Sequence, residues 1–122
     1  MTQFLITFPA GAMDHIPEAE LADVADAARA VCQQAMRERV LVMAGGLVHQ
    51  QAIVVAPDGA VTDGAVPSVV SGVTIIDVAT RDDALVWAAR LAVACRCAQE
   101  VREIAPDPEL DAMLGRDGAP RR

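Results

Sequence analysis

Two histidines are the only side chains in this sequence that titrate near neutral pH in an ordinary environment, so acid–base chemistry starts with them. His49 follows Gly45-Gly46-Leu47, where a strand begins or ends, and an imidazole held there could act as a general base. The plainer reading is an exposed loop histidine. His15 follows Asp14, but adjacent side chains rarely point into one site. Asp63 is the carboxylate best placed to join His49 as a second catalytic candidate. Followed by Gly64, it also reads as a turn residue whose oxygen satisfies local backbone N–H groups.

The thiols offer less. Cys95 and Cys97 are two residues apart and lack the C-x-x-C spacing of zinc or thioredoxin sites, and only two distant histidines could complete a metal shell. No metal site is expected. One of the pair should pack in the core and the other lie near the surface, where Arg96 could lower the thiolate pKa of Cys97. Gly45-Gly46 has no Lys-Ser/Thr after it and is not part of G-x-G-x-x-G, so no nucleotide loop is implied.

These residues need a scaffold, and the apolar pattern supplies one. From Gln3 to Phe8 the chain alternates, with Phe4, Ile6 and Phe8 on one face and Leu5 and Thr7 on the other, which predicts a strand. From Glu18 to about Glu38 the positions Leu21, Val24, Ala25, Ala28, Val31, Cys32, Ala35 and Met36 draw one helical stripe. Val40 to Met43, broken by Gly45-Gly46, and Gln51 to Val55, ended by Pro57-Asp58-Gly59, predict two paired strands. A short strand from Ala60 to Thr62 ends at Asp63-Gly64. Gly72 to Ala79 is strongly strand-like, and Thr80-Arg81-Asp82-Asp83 has the form of a helix N-cap. The helix after it buries Ala84, Leu85, Ala88, Leu91, Ala92 and Cys95, and a strand from Gln99 to Ile104 closes the core. Asp107 to Leu114 predicts a short helix started by Pro108, followed by a tail.

The order is β-α-β-β-α-β, a ferredoxin-like α+β sandwich with both helices on one sheet face. Residues 1–105 form that domain and 106–122 a C-terminal short helix and tail. At 122 residues a second core would be too small to stabilise itself. The bare sheet face and the 53% apolar content favour a homodimer in which a second copy covers that face. A formal net charge of -7 is the wrong sign for nucleic acid. No apolar run approaches the ~18 residues of a membrane span, and no basic-then-apolar leader is present. A cytoplasmic location with reduced thiols and no membrane partner follows as the expectation.

Several landmarks recur in a known family: Gly45-Gly46-Leu47, Pro57-Asp58-Gly59, Val61-Thr62-Asp63-Gly64, the strand Val73 to Val78, Arg81 to Ala88, and Ala94 to Glu103. In these the chain resembles the YCII-related proteins, including the branch named for a DGPF motif, from Met1 to about Ile104. The resemblance implies a dimeric α/β barrel built on the ferredoxin-like unit. In relatives with assigned lyase or dehydrochlorinase-type chemistry, it implies a His on the first helix and an Asp on the second. The matching positions here are Ala28 or Arg29 and Arg90 or Leu91, so neither half of that dyad is present. Asp63-Gly64 continues as Ala65-Val66 and departs from Pro-Phe. Arg29 and Arg90 are either solvated helix charges or the makings of an anion site, to which Arg102 on the last strand could add.

Three kinds of function remain. One is a non-catalytic dimer holding a small anionic metabolite or a protein partner between helices and sheet. Another is a small lyase, isomerase or cyclase acting on a carboxylated metabolite through His49, Asp63 and the arginines. The last is a structural or regulatory partner of another protein, drawing on the acidic surface and the apolar Val66–Val70 loop. None of them calls for a cofactor.

Overall fold

A computed structural model of the chain describes residues 1–67 and 69–116. Residue 68 of the Val66–Val70 loop and the tail from 117 onward lie outside the described residues. The elements are β1 (Thr2–Pro9), α1 (Leu21–Arg37), β2 (Leu41–Gly46), β3 (Gln51–Val55), β4 (Val61–Pro67), β5 (Val70–Val78), α2 (Arg81–Cys95), β6 (Glu100–Glu103) and α3 (Pro108–Met113). A single 3-10 turn at Glu18–Glu20 leads into α1, so the helix predicted from Glu18 starts regular turns at Leu21.

Strands β2, β5, β1 and β6 form one antiparallel sheet in that order, and β3 and β4 form a separate two-stranded ribbon. Without the ribbon the chain runs β1-α1-β2-β5-α2-β6, an α+β arrangement compatible with a ferredoxin-like fold. The alternation of β1 decides which face is which. Phe4 and Ile6 are almost wholly buried against Ile76 and Val78 and against Ala35, Ala84, Trp87, Ala88 and Leu91 of the helices. Full burial of each such side chain contributes about 1.5–3 kcal/mol. Both helices therefore cover one face, as the stripes predicted.

The other face is read from the register. Leu5 lies opposite Ile75 on one side and Arg102 on the other, and Ile75 lies opposite Met43. Arg102, Leu5, Ile75 and Met43 thus form one row across the face away from the two long helices, where Thr7 is buried, Leu5 and Ile75 are half-buried and Met43 is exposed.

Local chemistry accounts for the ends of the elements. Thr80 caps α2 by accepting a hydrogen bond from the Asp83 N–H at 3.1 Å. Asp107 caps α3 in the same way through the Leu110 N–H at 2.9 Å, with Pro108 in the first turn. The β3–β4 hairpin turns at Gly59, whose φ of +88° suits glycine, while the Asp58 carboxylate accepts from the Ala60 N–H at 2.9 Å.

Four expectations are corrected. The segments around Val40–Met43 and Gln51–Val55 do not pair. β2 stays hydrogen-bonded to β5 as far as Gly46 opposite Gly72, and Leu47 N–H donates to Ser71 O at 2.8 Å, so β3 turns away and pairs with β4. Gly45-Gly46 is accordingly the end of β2 and no break. Asp63-Gly64 is not a turn, because β4 runs through it: Gly64 crosses Ala52 so closely that a Cβ would stand 2.9 Å from the Ala52 carbonyl oxygen. Lastly, α2 buries positions 84, 87, 88, 91, 94 and 95, a helical stripe that admits Trp87 and leaves Leu85 on the exposed flank.

Candidate functional site

One side of α1 carries Leu21, Val24, Ala25, Ala28, Arg29 and Cys32 at steps of three and one, and that side faces a cleft over the β2/β5 end of the sheet. The cleft has a volume of about 560 Å³. Its floor consists of Ala44, Gly46, Gly72 and Thr74, paired across β2 and β5 on the helix-facing side. Phe8 closes one side, with Leu91 and Cys95 of α2 behind.

The cavity exists because small residues occupy positions that hold bulk farther along the same strands. Leu41 opposite Ile76 fills the space under the helices, whereas Gly46 opposite Gly72 leaves it empty. Gly46 is not demanded by its backbone: its φ is not positive, and a Cβ there would meet nothing within 4 Å. Gly72 is different, since a Cβ would come within 2.2 Å of the Phe8 ring. The Phe8 ring therefore lies directly over this glycine.

Arg29 is the one charged residue lining the cleft among the described residues. Its guanidinium reaches Asp26 at 3.1 Å, one helical turn back, in a pair whose side chains are 71% and 77% exposed. A pair that open to water is weak, so it leaves Arg29 able to turn to an anion in the cleft mouth. Arg90 does not join it. Its guanidinium stacks 4.5 Å above the Trp87 ring centroid and lines no cavity described here. Arg102 stands on the opposite, open face of the sheet, 3.6 Å from Glu100. Three arginines that could have formed one anion site are thus distributed over three surfaces.

His49, in the loop between β2 and β3, and Asp63, opposite Ile53 in β4, are both exposed and line neither cavity. Neither side chain has a hydrogen bond or ion pair among the described residues.

The cysteines cluster at the back of the cleft. Cys32 from α1 and Cys95 from α2 both line it. Burial pushes all three thiols above the ordinary cysteine value, and in Cys95 the neighbouring Cys97 and Cys32 add to that. Arg96, which could have lowered the thiolate pKa of Cys97, does not do so. Arg96 turns to Glu20 at 2.5 Å, and burial of Cys97 outweighs the lowering by the Gln99 amide at 3.6 Å. Among the described residues no group of three or more His, Cys, Asp or Glu is arranged to hold a metal ion.

A second cavity of about 590 Å³ lies between the other end of the sheet and α3. Asp77, Glu103, Asp107 and Asp111 line it, and Arg116 is paired with Asp111 at 2.9 Å. Its acidic walls suit an anion poorly. No helix among the described residues is long and apolar enough to cross a membrane. No protein-family model and no curated protein matches the chain.

Proposed function

We propose that this protein is a cytoplasmic, YCII-like homodimer without catalytic activity that binds a small amphipathic anion in the cleft between α1 and the sheet. The observation that carries the reading is the lining: mostly alanines, glycines and apolar side chains around about 560 Å³, with Thr74, two thiols and a single guanidinium, Arg29, among them. That volume falls within the ~300–1,000 Å³ usual for small-molecule sites, which combine apolar walls with a few orienting polar groups. The ligand class that matches is a carboxylate or similar anion attached to an apolar body. The apolar part replaces water over Ala25, Ala28, Gly46 and Gly72, and the anionic head meets Arg29.

Support for the non-catalytic part is the exposure of His49 and Asp63 away from the cleft, since general acid–base work needs a group within hydrogen-bond reach of the reacting atom. The YCII-like part draws support from the β-α-β-β-α-β order. The dimer draws it from the Leu5–Ile75–Met43 row on the open face, with Met43 half-exposed.

Decanoate serves as the test ligand. Calorimetric titration should show saturable binding, with decanol weaker and Arg29→Gln weakening decanoate about fivefold, the effect of roughly 1 kcal/mol at a largely solvated charge. Equal binding of decanoate and decanol, unchanged in Arg29→Gln, would remove the anion from the reading.

A further inference from the structure

One hydroxyl-bearing side chain stands in the otherwise apolar floor of the cleft. Thr74 lies inside the sheet, opposite Ile6 of β1 on one side and Ala44 of β2 on the other. It shares the helix-facing side with Gly72 two residues back and Ile76 two residues on. Among the described residues its hydroxyl makes no hydrogen bond, yet it is not sealed from water as the Thr7 hydroxyl on the opposite face is. Ile6 beside it is almost wholly buried, so the space this half-buried threonine opens to is the cleft.

Covering such a hydroxyl has a cost that depends on what covers it. A plain aliphatic chain laid across the floor strips water from Thr74 and returns no hydrogen bond, which disfavours that ligand. A ligand with a hydroxyl or carbonyl oxygen at the same place takes over the bond the water made. The other polar groups of the cleft do not compete for that oxygen. The Cys32 and Cys95 thiols are weak hydrogen-bonding groups, and Arg29 stands on the helix wall, where it meets the anionic head.

Resting on the cleft reading above, we infer that Thr74 is a specificity-determining residue that selects amphipathic carboxylates bearing a hydroxyl or oxo group along the chain over plain aliphatic ones. Arg29 of α1 holds the carboxylate and Thr74 of β5 holds the second oxygen, from opposite walls. Two such anchors fix the direction in which the ligand lies, the role that a few placed polar groups have in apolar pockets.

Thr74→Val tests this, because valine keeps the β-branched shape that suits a strand and removes the hydroxyl. Both proteins are titrated by calorimetry with decanoate and with 3-, 5- and 7-hydroxydecanoate, which move the hydroxyl along the chain. The wild type should bind at least one hydroxydecanoate about fivefold more tightly than decanoate. Thr74→Val should lose that preference and bind decanoate itself about fivefold more tightly, since no hydroxyl is left to be covered. Its thermal melt by circular dichroism should lie at or above that of the wild type. If decanoate binds but the wild type favours no hydroxydecanoate, or the preference survives in Thr74→Val, the role of Thr74 is overturned while the cleft reading stands. A variant that binds every ligand more weakly by the same factor also overturns it and leaves Thr74 a strand residue only. If none of the ligands binds either protein, both readings fall.

Discussion

Replacing Ala28 by tryptophan should abolish decanoate binding while leaving the protein folded. Ala28 sits on the cleft side of α1, half-buried, with the floor glycines of β2 and β5 across the gap. An indole at that position has open volume to enter, so it displaces ligand without pushing into packed core. The helix loses only the propensity difference between alanine and tryptophan, about 0.5 kcal/mol. Binding loses the apolar contact that carries most of the ligand's affinity, and a fall of at least about thirtyfold, roughly 2 kcal/mol, is expected by calorimetry. Unchanged affinity in a folded Ala28→Trp protein would place the ligand elsewhere.

The second large effect falls on the fold itself. Gly72→Val should destabilise the protein by about 2–3 kcal/mol in urea, the range for overpacking a filled site. The cause is specific: a Cβ at Gly72 would stand 2.2 Å from Cε1 and 2.4 Å from Cζ of Phe8, so the ring must leave its place. Phe8 and Gly72 are opposite one another in β1 and β5, next to the register shift at Phe8/Pro9, and the cleft that Phe8 lines has room for the displaced ring. Two consequences separate this from a general strand effect. Decanoate binding should weaken together with stability. Phe8→Ala combined with Gly72→Val should also cost less than the sum of the single changes, because the new side chain occupies the volume the ring gave up. Additive costs would contradict the contact.

Much of the architecture was legible because burial has a period. Phe4, Ile6 and Phe8 against Leu5 and Thr7 gave the two faces of β1, and the stripe from Leu21 to Met36 gave the inward side of α1 except at its last member, Met36, which is 63% exposed. Thr80 gave one helix start through cap chemistry and Pro108 another through its fixed φ in a first turn, where the structure adds the Asp107 cap. What misled was glycine. Gly45-Gly46 and Asp63-Gly64 carry the composition of turns, yet both lie within strands, where glycine serves empty space over a cleft or close approach to Ala52. Strand pairing was equally hidden, since nothing local to β2 says that its partner is β5 and not β3.

The site was legible only in part. Arg29 was visible as a helix charge, but its presence at the cleft depends on how α1 is rotated over the sheet. Arg90 and Arg102 have the same chemistry and were dispersed by the fold, one over Trp87 and one onto the open face. Gly72 and Phe8, which set the shape of the cleft, could have been suspected from a glycine inside the most strand-like segment of the sequence. Their contact is between strands far apart in the chain, and no single-sequence pattern reports it.

The most direct measurement is a decanoate titration followed in a proton–nitrogen correlation spectrum of the full chain. Saturable shifts centred on Ala25, Ala28, Arg29, Gly46 and Gly72 are the expected result. Shifts centred instead on Glu103, Leu110 and Asp111 beside α3, or none that saturate, would contradict the assignment of the cleft as the binding site.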